Sequence, residues 1–270
     1  MRLYENEAKK VFTQQGIPVP GQLGVICRSQ DVKKVLKVSD FPIMMKSLIL
    51  VGGRGKAGGV KRADNLSEAE KIAKRILGMN IHGYTVEMLM LEKAVEDKGA
   101  AYLGVTMHPE TFNNMVLVSP SGGVDIETIA RENPELIYRA ELKENEPGLP
   151  DRIGTKAADF LTHYLNTKGE YGTAFKDIIS RLYWIYQNLD CKIAEINPLL
   201  ITPEGLVAAD AKIVLDDNAL FRQKEIFALL GIKEARHDVA EPTRNEVRAR
   251  EAGIPYLDLL PGNWVWDISN

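Results

Sequence analysis

A glycine-rich basic segment, Gly52-Gly53-Arg54-Gly55-Lys56-Ala57-Gly58-Gly59, most constrains what this chain can fold into. Five of its eight residues are glycine, so the backbone can take angles that other residues avoid and can approach a ligand closely. Arg54 and Lys56 add two cations. Consecutive backbone N–H groups beside cations suit a polyphosphate. The segment therefore predicts a phosphate-binding loop, with a flexible, solubilising surface hairpin as the alternative.

The loop differs from the two common phosphate-binding motifs. A Walker A loop needs Ser or Thr after its lysine, and Ala57 follows Lys56 here. A dinucleotide-binding glycine motif opens a helix, whereas Gly59 is followed by the strand former Val60. We therefore expect a phosphate cover between two strands. Lys46, inside the preceding apolar run, either reaches to the surface or points at an anion.

A second group of polar residues suits a divalent cation. Glu195-Ile196-Asn197-Pro198 reads as part of a strand, and alternation puts Glu195 and Asn197 on one face. A Pro-Glu-Gly turn at 203–205 makes the next strand an antiparallel neighbour, so Asp210 can face Asn197. Two facing oxygen donors suit Mg²⁺, which shares its other positions with water and phosphates. The alternative is a polar, half-exposed hairpin.

The remaining polar candidates are less specific. Glu87 lies in an apolar, strand-like run, either on the solvent face or as a hydrogen-bond acceptor for a purine amine or a ribose hydroxyl. The four histidines have no obvious serine or carboxylate partner, so none predicts a catalyst. No zinc-ligand spacing and no serine-hydrolase motif occurs.

Element patterns predict an α+β fold. Residues 3–15, a short segment from Ser29, residues 67–78 with a Ser-Glu-Ala-Glu capping box, and a long segment from Thr173 read as helices. Strands are predicted at 42–50, 84–91, 101–107, 115–119, 192–196 and 206–212. The strands come in hairpin-like pairs without strict alternation with helices, which favours layered α+β over a doubly wound sheet.

Length and charge limit the class of protein. At 270 residues the chain is expected to form more than one compact unit. A net charge of −3 leaves no basic excess for nucleic acid. Two cysteines without a CxxC, no signal peptide and no long apolar stretch predict a soluble protein of the cytoplasm or mitochondrial matrix.

Six stretches, in order along nearly the whole chain, resemble the β subunit of succinyl-CoA synthetase (succinate–CoA ligase) and its relatives. The relatives include malate–CoA ligase, citryl-CoA synthetase and ATP-citrate lyase. The matching stretches are AKKVFTQQGIPVP, GGRGKAGGVK, SGGVDIE, EINPL, DAK and DDNALFRQ.

The resemblance implies an ATP-grasp fold of two α+β lobes that hold Mg²⁺ with ATP or ADP, or with GTP or GDP. It implies that a phosphoryl group passes reversibly to a phosphohistidine on a partner α subunit, which also carries the CoA site, before a carboxylate becomes a CoA thioester. The family roles fall on these positions: Lys46, Gly53, Arg54 and Gly55 on phosphate, Glu87 as hinge acid, Asn197 and Asp210 on magnesium, Glu195 near the phosphohistidine, and Asn270 on substrate.

The chain departs from the family pattern in three places. Leu50 and Val51 stand where a histidine is frequent. Residues 88–101 look longer than usual, so the second hinge acid is either Glu92 or Glu96. Residues 1–235 fit the ATP-grasp domain, and residues 236–270 fit a linker and the first strand of a truncated flavodoxin-like ligase domain, so this chain alone is expected to bind nucleotide without making a thioester.

Two other functions remain open at this point. An ATP-grasp ligase that joins a carboxylate to an amine shares the acyl-phosphate chemistry but needs no histidine carrier. A non-catalytic nucleotide-binding module would not need Lys46, Asn197 and Asp210 together. The sequence does not separate succinate from malate or citrate as the acid.

Overall fold

The computed structural model describes residues 1–142, 148–167, 169–233, Arg236 and Arg248. The helices are α1 Glu5–Gln14, α2 Val32–Val35, α3 Leu66–Ile76, α4 Ile126–Glu132, α5 Asp151–Tyr164, α6 Glu170–Asn188 and α7 Lys224–Leu230. The strands are β1 Gln22–Ile26, β2 Ile43–Ser47, β3 Val60–Ala63, β4 Asn80–Ile81, β5 Tyr84–Thr85, β6 Leu89–Lys93, β7 Ala100–Met107, β8 Asn114–Ser119, β9 Tyr138–Leu142, β10 Cys191–Thr202, β11 Gly205–Ala208 and β12 Lys212–Leu215.

The described chain divides into two compact units. The larger unit contains residues 1–22 and 93–238, and the described part of the smaller unit is residues 23–92. Each unit combines helices with its own sheet, so the α+β prediction is confirmed. The predicted boundary between residues 235 and 236, the segment after it and Asn270 fall outside the continuous described ranges, so that division remains a prediction.

Strand β10 organises the sheet of the larger unit. The strands run in the order β11-β10-β7-β8-β9, and β12 also pairs with β10. β7 lies along one edge of β10, while β12 and β11 share the other edge, beside residues 191–195 and 199–202. These pairings are all antiparallel, which agrees with strands predicted in hairpin-like pairs.

One face of this sheet is apolar and covered by helices. Its alternate residues, including Leu103 and Ile196, pack with side chains of α5 and α6. Phe175 on α6 is fully buried in the same cluster, and each such side chain contributes about 1.5–3 kcal/mol by leaving water. Because side chains alternate along a strand, the other face of the same strands carries Tyr102 and Glu195. The helical layer therefore leaves the polar residues of β7 and β10 on the opposite side.

Helix α6 follows the predicted apolar spacing. It begins at Glu170, three residues before the predicted start, and the same apolar stripe faces the core. Its outer side carries Trp184, which is partly exposed. Among the helices that the structure describes, none combines the length and the apolar character needed to cross a lipid bilayer.

The smaller unit is built on the hairpin of β2 and β3. Ile43 pairs with Ala63 and Lys46 with Val60, so residues 48–59, including the glycine-rich segment, connect two antiparallel strands as predicted. Its sheet has the order β1-β6-β2-β3, and α3 packs on it through Ala69, Ala73 and Ile76. The loop is therefore anchored at both ends in a sheet with a packed core.

Besides the earlier start of α6 and the longer extent of β10, which was predicted at 192–196, four predicted boundaries were wrong. The strand predicted at 42–50 ends at Ser47, and the one predicted at 84–91 is two strands, β5 and β6. The strand predicted at 206–212 is also two, because the pairing with β10 stops after Ala208 and resumes at Lys212. Apolar periodicity continues through these interruptions, so it does not reveal them.

The fourth error concerns the start of α3. The cap is Asn65, whose side chain accepts a hydrogen bond from Glu68 N at 3.0 Å, and not the predicted Ser67. Glu68 returns a hydrogen bond to the chain by accepting from Asp64 N at 2.9 Å. The predicted capping box of Ser67 and Glu70 is therefore wrong: Asn65 caps the helix, and Glu68 returns its bond to the residue before the cap instead of to the cap itself.

We expect Asn65→Ala to destabilise the protein by about 1 kcal/mol, because the helix loses the acceptor for its first N–H groups. Ser67→Ala is the matched control, since Ser67 is exposed inside the first turn, and should change stability by less than about 0.5 kcal/mol. Urea denaturation of both variants measures the difference. A larger loss in the Ser67 variant would contradict the observed cap.

Candidate functional site

In the smaller unit, the glycine-rich segment folds into a compact turn. Ala57 N donates to Gly53 O at 3.0 Å, Gly58 N to Gly55 O at 3.0 Å, and Gly59 N to Arg54 O at 2.8 Å. Gly53 has φ +71°, a conformation that favours glycine. Within the described residues, the N–H groups of Gly53 and Gly55 donate to no protein acceptor. The turn thus presents two amide donors, as an anion-binding loop requires.

Close packing under the turn requires a glycine at position 59. A Cβ there would stand 2.5 Å from Ser47 Oγ and 2.7 Å from Ile81 Cδ1. At Gly55 a Cβ would meet no atom within 4 Å. The two glycines therefore differ: Gly59 lets the turn pack closely on Ser47 and Ile81, whereas a side chain at position 55 would extend into open space.

The cations of the turn also differ in placement. Arg54 is buried, and its Nη1 donates to Ser47 O at 2.8 Å, so part of its guanidinium holds the end of β2. Lys56 is exposed. Of the two cations predicted to face a phosphate, Lys56 is thus the one on the surface of the turn, and Arg54 supports the turn from within.

Lys46 is buried in the smaller unit and does not reach to the surface. Its Nζ lies 2.8 Å from Glu92 Oε1, and the two side chains are 8% and 1% exposed. Burying two charges costs several kcal/mol each, which their attraction repays only in good geometry. Such a pair is weak evidence for a stabilising role. We therefore interpret it as a means of keeping a charged lysine at this position.

Two other acids that the sequence singled out are exposed: Glu87 in the smaller unit and Glu96, which lies just outside it. Glu87 lies in the segment between β5 and β6 and outside both strands. Glu96 follows β6 and is exposed as well. Glu92 is the acid that the fold brings to Lys46, on the strand next to β2. Of the two alternatives, Glu92 is the one that contacts the predicted phosphate-binding lysine, and which of them is the second hinge acid remains a prediction.

In the larger unit, the break between β11 and β12 brings the predicted metal ligands opposite one another. Leu199 pairs with Ala208 on one side of the break, and Glu195 with Lys212 on the other. Both pairs share one register, and counting along it puts Asn197 across from Asp210 within the stretch where the ladder is interrupted. On the side of β7 the register of β10 shifts between Ile196 and Leu199. The predicted facing arrangement agrees with the register, and its role as a metal site remains a prediction.

Asn197 is held by the loop that follows β8. Its Oδ1 accepts from Gly123 N at 2.6 Å, and its Nδ2 donates to Val124 O at 3.0 Å. These two bonds fix which end of the amide carries the oxygen. The loop belongs to the SGGVDIE stretch, so two separate motifs of the sequence meet at this amide.

Asp210 is positioned by its own backbone and by a buried lysine. Its Oδ1 accepts from Ala211 N at 2.7 Å. Lys9 on α1 donates to the carbonyl of Ala209 at 2.7 Å and pairs with Glu5 Oε1 at 2.8 Å. Lys9 and Glu5 are each 2% exposed at the side chain. A buried ion pair therefore holds the peptide that precedes the predicted metal ligand.

Glu195 lies on β10, two residues before Asn197 and ahead of the register shift toward β7. It is the register partner of Lys212 on β12 and of Gly104 on β7. The hydroxyl of Tyr102 hydrogen-bonds to its carboxylate. Burial, then the negative charges of Glu195 and Glu127, hold the pKa of the Tyr102 hydroxyl well above its usual range. The tyrosine therefore remains a neutral donor.

The donor set of Asn197 and Asp210 fits Mg²⁺ better than a transition metal. The described residues contain no cluster of three or more His, Cys, Asp or Glu side chains that could hold a metal ion. One carboxylate and one amide oxygen match an ion that uses few protein ligands and keeps water and phosphate oxygens. Both side chains are half-buried at an interrupted sheet edge, which leaves room for such shared ligands.

Sequence reasoning missed three of the residues around these groups. Lys9 lies in a helix whose acids and lysines read as surface charge, and Tyr102 reads as an ordinary strand residue. The backbone N–H of Gly123 has no signal in a sequence beyond the glycine pair itself. The only available clue to Lys9 was its four-residue spacing from Glu5, which precedes the matching stretch that begins at Ala8.

A family model for the ATP-grasp domain matches residues 2–201 of this chain. Among similar proteins, the succinate–CoA ligase [ADP-forming] subunit beta of Roseiflexus sp. (strain RS-1) is 38% identical over 260 residues, and that match covers 96% of this chain and 65% of the relative. The succinate–CoA ligase [GDP-forming] subunit beta of Thermus thermophilus is 38% identical over 262 residues, with the same coverage. The chain thus spans 65% of the length of these relatives.

Solved structures share the fold at low identity. ATP citrate lyase from Methanothrix soehngenii, solved with citrate and coenzyme A, superposes with a TM-score of 0.65 at 19% identity and covers 93% of this chain and 59% of that one. A dinucleotide forming acetyl-coenzyme A synthetase from Ca. Korarchaeum cryptofilum has a TM-score of 0.64 at 22% identity and covers 80% of this chain and 93% of that one. At these identities the likeness concerns the fold.

We expect Gly59→Ala to cost about 1–3 kcal/mol of stability, because the added methyl group overlaps Ser47 and Ile81. Gly55→Ala in the same turn should change stability by less than about 0.5 kcal/mol, since its methyl group meets open space. Urea denaturation of the two variants provides the comparison. Equal losses would contradict the described packing of the turn.

We expect Lys9→Met to destabilise the chain by about 3–5 kcal/mol, because it removes the ammonium from a buried carboxylate. Lys10→Met, an exposed lysine on the same helix, is the control and should be near neutral. The double variant Glu5→Gln/Lys9→Met should recover part of the loss. Denaturant midpoints measure all three, and a Lys9 variant as stable as the Lys10 variant would show that the pair is not buried in solution.

Proposed function

The chain belongs to the ATP-grasp domain family, and on that premise we propose that it is the nucleotide-binding part of an acid–CoA ligase of the succinate–CoA ligase type. It binds a purine nucleoside triphosphate or diphosphate with Mg²⁺. It passes a phosphoryl group between that nucleotide and a histidine of a partner α subunit. The similarity to succinate–CoA ligase β subunits over 96% of the chain supports this class of reaction.

The observation that carries the proposal is the placement of Asn197 opposite Asp210. Either residue alone is an ordinary polar side chain. Their shared register, the hydrogen bonds that orient Asn197 and the buried Lys9 that fixes the neighbouring peptide together describe two oxygen donors held in place.

The smaller unit supplies groups that recognise phosphate. Gly53, Gly55 and Lys56 are exposed at the turn, and the two glycine amides donate to no acceptor among the described residues. Lys46, paired with Glu92, is a second cation that can interact with phosphate oxygens when a nucleotide competes for it. Since amides and cations spread the negative charge of the transferred group, they lower the barrier to its transfer.

The larger unit supplies groups that act on the metal and on the incoming histidine. Asn197 and Asp210 would hold Mg²⁺, which neutralises charge on the phosphate oxygens when it is bound. Glu195, on the same strand face, accepts a hydrogen bond from the N–H of the partner's imidazole. That bond orients the ring so that its other nitrogen points toward the phosphorus, as a carboxylate orients a catalytic histidine elsewhere.

The transfer step forms one bond to the terminal phosphorus and breaks another. The lone pair of the imidazole nitrogen forms a bond to the terminal phosphorus, and the bond from that phosphorus to the bridging oxygen breaks. The nucleoside diphosphate leaves with the bonding electrons. In the partner, the phosphoryl group passes to a carboxylate as an acyl phosphate, and the CoA thiolate displaces phosphate to form the thioester. Every step is reversible.

A thermal-shift experiment tests the nucleotide proposal. With Mg²⁺ and ATP, ADP, GTP or GDP at about a hundred times its dissociation constant, the bound state should gain about 2.7 kcal/mol, a clear rise in Tm. The rise should require Mg²⁺ with at least one of the two purines.

Asp210→Asn should remove the Mg²⁺-dependent part of the rise, because the site loses its carboxylate. Asp159→Asn, an exposed acid of the same unit, is the control and should behave like the parent chain. A rise that is unchanged in the Asp210 variant would overturn the metal assignment. No rise with any nucleotide in the parent chain would overturn nucleotide binding by this chain.

A further inference from the structure

Tyr102 is the one buried tyrosine of the larger unit whose hydroxyl points to a carboxylate of the proposed site. It is 4% exposed and packs with Leu117, Ile129 and Ile137 in a small cluster under α4. The hydroxyl end leaves this cluster and hydrogen-bonds to Glu195 on β10. The ring is thus fixed by apolar packing, while its polar end reaches the site face of the sheet.

Gly104 provides the space for this contact. It is two residues along β7 from Tyr102, on the same face, and is the register partner of Glu195. A Cβ on Gly104 would stand 2.5 Å from the Tyr102 hydroxyl oxygen and 3.0 Å from two ring carbons. Any side chain at position 104 would therefore displace the hydroxyl from its path to Glu195.

We propose that Tyr102, seated over Gly104, is a positioning residue that holds the Glu195 carboxylate in the orientation needed to receive the partner's histidine. The inference rests on the proposed function, because it assigns a task to Glu195. A carboxylate on a flexible side chain loses rotamer freedom when it orients an imidazole. If a rigid donor already holds the carboxylate before the imidazole arrives, this entropy cost does not fall on the binding step.

The charged groups around Glu195 agree with this role. Lys212 is its register partner on β12, and Glu127 on α4 acts on the same tyrosine from the other side. A neutral donor orients Glu195 without neutralising it, whereas a second cation would compete with the imidazole for the carboxylate. Because burial keeps the pKa of Tyr102 well above its usual range, the donor persists across the working range of pH.

Tyr102→Phe tests the proposal, since it keeps the ring in its cluster and removes only the hydroxyl. Tyr183→Phe is the matched control: Tyr183 is equally buried, but its hydroxyl accepts from Asn114 Nδ2 at 3.3 Å and its ring lies in the main core cluster. Gly104→Ala is a second test variant, because it displaces the hydroxyl while retaining the tyrosine. All three are used in the full chain.

The first measurement is the side-chain rotamer distribution of Glu195, obtained from NMR three-bond couplings. Loss of the donor should broaden this distribution in Tyr102→Phe and in Gly104→Ala, because a hydrogen bond no longer restrains the carboxylate. The Tyr183 variant should resemble the parent chain. An unchanged distribution for Glu195 in a folded Tyr102 variant would overturn the contact, whatever the function of the chain.

The second measurement is phosphoryl transfer from Mg-ATP to the histidine of a succinate–CoA ligase α subunit mixed with this chain. We expect kcat to fall roughly 10- to 100-fold in Tyr102→Phe, with KM for the nucleotide unchanged, because the histidine is less well positioned. A broadened rotamer distribution of Glu195 with an unchanged kcat would overturn the positioning role. No transfer with the parent chain would count against the proposed function alone, and the rotamer distribution would still decide the contact.

Discussion

The antiparallel register of β10 is the constraint on which the larger unit depends. This twelve-residue strand pairs with β7 on one edge and with two successive strands on the other. From Ile193 onward both of those strands keep the same register, so the three residues between them lie across a defined stretch of β10. The polar groups of the proposed site are gathered at that point by pairing rather than by a loop of their own.

Each unit contains a buried lysine–glutamate pair near the residues proposed to bind phosphate or metal. In the smaller unit Lys46 meets Glu92, and in the larger unit Lys9 meets Glu5. Hydrophobic residues of similar volume would stabilise either position at least as well. The pairs hold charge at a fixed place in a low dielectric, and Lys9 also donates to a backbone carbonyl.

Local chemistry allowed part of this to be predicted from the sequence. The Pro-Glu-Gly turn fixes the strand offset, and that offset alone indicates that Asn197 and Asp210 face each other. The interruption at 209–211 was missed, because apolar periodicity does not report where ladder hydrogen bonds stop. Glu92 was left as one of two choices and Tyr102 was overlooked, since both gain their meaning from strands that are distant in sequence.

The hydrogen bonds between Asn197 and the Gly123–Val124 backbone couple the ordering of the loop at 121–125 to ligand binding at Asn197. A ligand can bind the remaining lone pair of the Asn197 amide oxygen without moving the side chain. In that case the loop is already ordered, and binding does not include the entropy cost of ordering it. A ligand that turns the amide away must release the loop. In both cases the coupling is reciprocal, so whatever restrains residues 121–125 changes the affinity at Asn197 by the same factor. A partner that binds this loop would therefore act as an effector of the cation site without contacting the cation.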